Sequence, residues 1–570
     1  MMPTPLVATL LLAAPTHADP VVEALRAELD RAAAELALDG AQPPYFLAYD
    51  LMETEHVEIR AVLGGVIEDE RAPRRELGVA VRVGGPDEDN ANFTALGQGD
   101  GFGSRDLVIQ DHPLAVRHDA WLLTDREYKQ AVENLARKQA DRRAEVQQPD
   151  RPPDYAPGDP SQSSQPALPP PDGDTLAETA RALSAAFRAH PQVESSTVYA
   201  LSGTGRRVLM DSLGTQVQRP LGETDLRVVA SVRAPDGQAA WDHASWYRLT
   251  ADQLPALPEL QAEAEALTAR LERWRQAPSA EEEYVGPVIF EGDAAVALFR
   301  SLLLPHLSGT PPSQKAKGRF GQETARSDAF RLGRRVLPKG YTVVDDPLAD
   351  PTSPASFAFD DEGVPAQRVE LIQDGVSRSL LASRTPSKDA PTSNGHGRCF
   401  PGQMARGMPS LLAVTPDRET SWRRLVQKGL TLAADYDLDY LLVVRRLRDP
   451  SIEGGSDGPR FFLAQADEEA PVPAPLEVVR LYADGREEPV RGLRFEGLDR
   501  RSLRDIVAAG TVHTRSFLAQ PGGKPWGDGA THGLPVTLTA PTVLLSEVEL
   551  LPDEATSEKP PRLPSPLEER

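Results

Sequence analysis

Between Tyr284 and Gly309 the chain reads YVGPVIFEGDAAVALFRSLLLPHLSG. The first seven residues have the apolar, β-branched character of a strand. Glu291-Gly292-Asp293 forms a tight turn. A short helix follows and ends near Pro305-His306, since proline removes a helical N–H and crowds the preceding turn. The chain changes character here, which divides it into two large domains, the natural expectation for 570 residues.

Upstream, helices interleave with groups of strands. Val22, Leu25, Leu29, Ala32 and Leu36 recur at helical spacing, predicting an amphipathic helix over 21–38. HVEIRAVL and ELGVAVRV alternate with period two and predict an antiparallel pair, with Gly64-Gly65 and the polar run to Arg75 between them. Residues 119–143 read as a helix. The Pro-, Asp-, Ser- and Gln-rich stretch 144–174 reads as a disordered excursion. A helix around Leu176, Ala180, Leu183 and Phe187 follows, then strands at 196–201, 207–210 and 226–232, and a helix over 260–274. The fold class is therefore α+β: an N-terminal α+β domain over 19–282 with an antiparallel sheet, then a β-rich domain over 283–551. Short strands punctuated by Gln373-Asp374-Gly375 and Ala483-Asp484-Gly485 mark the second domain as largely antiparallel. The Pro- and Glu-rich tail 552–570 reads as disordered.

Composition excludes several classes of function. With 85 acidic against 62 basic residues the formal net charge is −23, which repels nucleic-acid phosphates and anionic lipid. No stretch has the apolar length of a membrane span. Leu6–Ala14 is a short apolar run, and Thr16-His17-Ala18 is a small-x-small cleavage step, so residues 1–18 read as an export signal and the mature protein as secreted or periplasmic. No Lys or Arg precedes that run. Cys399 is the single cysteine, which rules out an internal disulfide and multi-cysteine metal sites.

Several segments, taken in order, resemble the TldD/PmbA metallopeptidase family, also known as the modulator of DNA gyrase family. They are PYFLAYDLMETEHVEIRAVLGGVIEDERAPRRELGVAVRVG, RRVLMDSLGTQVQRP, DDEGVPAQRVELIQDGVSRSLLASR, SNGHGR and the closing LPVTLTAPTVLLSEVEL. The similarity is to a secreted, TldD-related branch and covers most of the mature chain. It implies a β-rich C-terminal domain of barrel-like character, a homo- or heterodimer with a TldD-type relative, and unfolded peptides as substrates, which dock by adding a strand to a sheet edge. In the family a strand and turn lead into a helix carrying His-Glu-x-x-x-His. In that register this chain has Ser301, Leu302, Leu303, Leu304, Pro305 and His306.

Zinc chemistry explains why this matters. A catalytic zinc takes three protein ligands and a water, and a carboxylate receives the proton as the water attacks. Ser301 is a poor ligand and Leu302 accepts no proton, so both motif positions are non-catalytic types. The resemblance also places a third, cysteine ligand near Gly527, where this chain has none; His532 is close in sequence. The metal candidates are therefore His306 and His532, with His396, Cys399, His513 and the Glu362 carboxylate as further members of a substitute set. The pattern is that of a motif-lacking, PmbA-like subunit with a degenerate zinc site, acting on or binding unfolded peptides. The alternative is a non-catalytic peptide-binding scaffold in the cell envelope.

Overall fold

The computed structural model describes residues 19–94, 101–143, 150–315, 327–449, 452, 471–521, 533–553 and 565–567. The expected leader 1–18 and most of the expected tail lie outside the described residues.

The first helix, α1 (Pro20–Glu35), starts where its chemistry says it should. Asp19 caps it by accepting the Val21 and Val22 N–H groups, Pro20 sits in the first turn, and Glu23 faces the positive end of the helix dipole. Its buried face of Val21, Leu25, Leu29 and Ala32 packs with α2 (Pro113–Arg143) over Tyr49, Leu51, Val79 and Val81 of the sheet. Each fully buried leucine there contributes roughly 2 kcal/mol. Helix α2 begins six residues earlier than its sequence pattern indicates.

Strands β1 (Pro44–Val62) and β2 (Gly65–Gly85) form one long antiparallel hairpin. Its turn is Leu63-Gly64, with φ of 47° and 80°, the primed turn that suits strand twist. The polar run to Arg75, expected to separate the strands, is itself strand. Its charged side chains stand on an exposed extension of the sheet, where Arg60 pairs with Glu68. A short strand β3 (Gln162–Ser164) and helix α3 (Gly173–Ala186) precede β4 (Val193–Asp211), β5 (Gln216–Arg233) and β6 (Ala239–Arg248). The strands expected separately at 196–201 and 207–210 are one continuous β4. The sheet order is β2–β1–β4–β5, antiparallel throughout, with β6 along 224–233 of β5 and β3 parallel to Gln216–Gln218. Helices α3 and α4 (Leu257–Gln276) cover a second apolar cluster built on Ile59, Val198, Val228 and Leu271.

Of the stretch 144–174 expected as a disordered excursion, 144–149 lies outside the described residues, and 150–174 follows a defined path along the sheet. Asp154 and Tyr155 are buried, and the backbone beyond them is tied to the sheet. Composition misses this because the segment is held by charge pairs and main-chain hydrogen bonds, which carry no apolar periodicity.

The second domain is built on β7 (Tyr284–Phe290), which leads into α5 (Asp293–Leu302). Its mixed sheet runs 369–373, 341–345, 411–416, 533–552, 284–290, 440–447, 475–482 and 487–490. Most pairings are antiparallel. Two are parallel, β7 with 440–447 and 411–416 with 533–552. Helix α6 (Trp422–Ala434) covers one face and α5 the other. No helix among the described residues is long and apolar enough to cross a membrane. The two domains meet at bare backbone. A Cβ on Gly78 would stand 2.1 Å from the Gly402 nitrogen, and Gly402 (φ 71°) lies equally close to Gly103. Only glycine permits that approach.

Candidate functional site

Helix α5 buries Ala294, Ala295, Leu298, Phe299 and Leu302, and ends there because the Leu303 N–H closes on the Phe299 carbonyl. A single 3-10 turn, Leu304–His306, follows with Pro305 inside it. Ser301 is half-buried, whereas Leu302 is 1% exposed and belongs to the domain core. The helix therefore stops between the two positions that a zinc motif would place at its start and end. His306 is buried and already committed. Its Nδ1 donates to the Asp328 carbonyl at 2.8 Å and lies 2.9 Å from Asp328 Oδ2, while Arg500 bonds the other carboxylate oxygen, Oδ1. Its ring packs on Phe330. Burial holds this imidazole below the ordinary histidine range, and Arg500 adds to the effect while Asp328 opposes it.

The other candidates do not converge on it. His396 is buried with its ring nitrogens 3.0 Å from the Asn394 carbonyl and from Asp345 Oδ1. His513 pairs with Glu419 on the surface of its strand. His532 lies outside the described residues. Among the described residues no three His, Cys, Asp or Glu side chains are grouped to hold a metal ion. A zinc centre with three protein ligands does not fit the residues in place around His306.

The polar chemistry of the described chain concentrates instead at the seam between the domains, where Asp360-Asp361-Glu362 meets the N-terminal sheet. Arg207, on β4, is buried and donates to both oxygens of Asp50, to Asp361 Oδ1 at 2.6 Å and to the Cys399 carbonyl at 2.9 Å. Arg219 adds a second bond to Asp361 Oδ1 at 2.7 Å, and the Cys399 N–H donates to Oδ2. Burial pushes the Asp361 carboxyl up, but Arg207, then Arg219 and Arg398, outweigh it and hold the group below the usual carboxylate range. Burial pushes the Cys399 thiol well up, which favours its neutral form. Beside it lies a cavity of about 60 Å³, room for a few waters, bounded by Phe46, Asp50, Tyr155, Asp211, Glu362 and Arg384.

Asp360 and Glu362 behave oppositely to Asp361. Asp360 accepts the Glu362, Val364 and Gly397 N–H groups, and Glu362 accepts the Arg384 N–H at 2.6 Å. Glu362 keeps a partly accessible edge, but its carboxylate end is enclosed against Gly397. Burial raises both groups, and for Asp360 the neighbouring Glu362 charge raises it further. The folded chain thus binds these protons more tightly than the unfolded chain. Their contribution favours folding below the ordinary carboxylate range and is lost as pH rises through the raised folded values. Glu362→Gln keeps an oxygen for Arg384 and removes the charge. It should stabilise the chain by about 1 kcal/mol at about pH 8 and by little at about pH 4, read by urea unfolding.

The sequence singled out Glu362, His396 and Cys399 from this region but missed Arg207, Asp50, Asp361 and Tyr155. Nothing local marks them, because their partners lie far away in sequence; Arg207 and Asp361 are separated by 154 positions.

Comparison with known proteins adds a family reading. Residues 282–433 match the family model described as the PmbA/TldA metallopeptidase C-terminal domain. That stretch holds β7, α5 and the Asp360–Glu362 segment. Curated relatives named metalloprotease, from Archaeoglobus fulgidus and Methanothermobacter thermautotrophicus, are 40% identical over 58 residues and 41% identical over 54. A metalloprotease from Synechocystis is 39% identical over 74. These matches cover 10–13% of this chain and span only 12–16% of the relatives' lengths. Among solved structures, a modulator of DNA gyrase from Thermotoga maritima aligns with 93% of this chain and all of its own, at TM-score 0.57 and 14% identity. TldE from Thermococcus kodakarensis aligns with 89% of this chain and 96% of its own, at TM-score 0.52 and 15% identity. Together the matches support the PmbA/TldD family.

At those identities the structural neighbours establish the fold, a PmbA/TldD-like pair of α+β and β-rich domains. The metalloprotease names of the relatives imply a metal in those proteins. In this chain Leu302, which the resemblance sets at the base position of such a helix, lies in the domain core.

Proposed function

We propose that this chain is a peptide-handling, PmbA-like protein of the PmbA/TldD family that binds unfolded peptides without cleaving them by its own zinc centre. The observation that carries this reading is the end of α5. Leu302 is packed in the core, the helix stops at that residue, and His306 is engaged by Asp328. A zinc-activated water needs several ligands and a neighbouring base, and this helix carries no histidine and a single carboxylate, Asp293, which pairs with Arg446. Any cleavage then belongs to a partner that keeps the full motif, in a homologous dimer. The apolar run Leu6–Ala14 and the small-x-small step after it favour work outside the cytoplasm.

The test is a fluorescein-labelled unfolded peptide incubated with the purified chain, with and without added zinc, followed by anisotropy and mass spectrometry. The expected result is binding with the peptide intact in both conditions. Cleavage that a chelator abolishes and zinc restores would overturn the reading.

A further inference from the structure

The segment 150–172 lies along the domain seam as a bound peptide would. It enters with Asp154, whose carboxylate is held by Lys138 at 2.9 Å, by Arg142 at 3.0 Å and by the Asp89 N–H. Tyr155 follows into the cavity wall, with the Arg82 guanidinium 4.0 Å above its ring, Phe46 beside it, and its hydroxyl 3.2 Å from Arg384 Nη1. From there main-chain bonds hold it, joined by side-chain bonds from Gln162 to the Gly214 carbonyl, from Gln218 to the Gln165 carbonyl and from Thr204 to the Pro169 carbonyl. Ala156 N–H donates to the Arg384 carbonyl, and the Gln216 N–H donates to the Ser161 carbonyl. Residues 162–164 pair in parallel with 216–218. Gln165 and Leu168 N–H groups donate to the carbonyls of Gln218 and Gly205.

Two features set this strap apart from the strands around it. No residue from Pro157 to Asp172 is buried, and its far portion has little apolar packing beyond Leu168 against Gly222. The stretch 150–172 contains eight prolines, which keep it extended and confine its regular strand to the three residues of β3. Beneath it, β6 covers β5 only from Thr224 onward, so the edge at 216–218 belongs to the strap alone. Main-chain pairing on a sheet edge with a side-chain pocket at one end is the geometry by which proteins take up extended peptides.

Building on the peptide-handling reading above, we propose that the 216–218 edge and the Arg82–Arg384 pocket form a peptide-binding seam that the strap occupies in cis. An extended peptide carrying an acidic residue followed by an aromatic one, as Asp154-Tyr155 does, takes its place. The acid meets Lys138 and Arg142, the ring meets Arg82, and the following backbone pairs with β5.

The experiment compares the full chain with its Tyr155→Ala variant, using a labelled peptide of sequence 150–172 and a control in which its Asp-Tyr pair is Asn-Ala. A site occupied in cis binds more weakly by the fraction of time it is free. The variant should therefore bind the Asp-Tyr peptide about tenfold or more tightly than the unmodified chain does, and should not discriminate in favour of the control. In the unmodified chain, hydrogen exchange at Gln216 and Gln165 should be faster than at Val198 and Val228 in the sheet interior. Equal binding of both peptides by both chains overturns the strap's role and leaves peptide handling intact. Failure of any folded chain to bind either peptide overturns both. If the variant does not fold, the exchange rates decide, and protection at Gln216 equal to that at Val228 overturns the proposal.

Discussion

Replacing Arg207 with methionine destabilises the folded chain by about 3–5 kcal/mol, the cost of leaving buried carboxylates without their cation. Arg207 is 5% exposed and bonds Asp50, Asp361 and the Cys399 carbonyl at once. Methionine fills much of the volume but offers no donor, so Asp50 loses both bonds and Asp361 keeps only Arg219 and the Cys399 N–H. Arg207→Lys keeps the charge, yet one ammonium cannot reproduce a fork that spans two carboxylates and a carbonyl, so it should lose less than methionine but still lose stability. The acid side carries a second signature. Asp361 titrates below the usual carboxylate range, so its contribution is present above that range and is lost as pH falls through the depressed folded value. In the methionine variant that acid-dependent loss should flatten. Chemical unfolding across acid pH reads both effects, and a variant within about 0.5 kcal/mol of the unmodified chain would contradict the seam network.

The second large effect concerns helix α5. Building a His-Glu-x-x-x-His pattern with Ser301→His and Leu302→Glu should cost about 3 kcal/mol or more, nearly all of it from Leu302→Glu. Ser301 is half-buried at the helix end and tolerates a larger polar side chain. Leu302 packs inside the domain core, so a glutamate there either buries a charge or stays protonated, and a protonated carboxyl is no general base. Even a folded double variant would still have its helix ending at Leu302 and Pro305 in the next turn. The two single variants, compared by thermal unfolding and zinc retention, separate these causes. A stable double variant that holds zinc and cleaves peptides would contradict the description of this helix end.

Much of the architecture was legible because it follows from local patterns. The helical spacing of Val22 to Ala32, the period-two alternation of β1 and β2, and the strand–turn–helix at 284–302 all rest on residues near in sequence. The errors came where long-range contacts override composition. The polar run to Arg75 is strand because its partner, the outer half of β1, extends as far as it does. The Pro-rich stretch beyond Arg151 is ordered because Lys138, Arg142 and Arg384 reach across to it. The candidate site was hardly legible. No local pattern in the sequence indicated that the side chains with shifted acidity gather around Asp361 and Arg207, on opposite domains.

The most direct measurement is the zinc content of the purified chain from residue 19 onward, by elemental mass spectrometry after dialysis. The account predicts a content far below one zinc per chain, because His306 is engaged by Asp328 and Leu302 lies in the core. About one zinc per chain that survives dialysis and disappears in His306→Ala would contradict it, and would mean that His306 leaves Asp328 to join a ligand set that includes residues beyond those described.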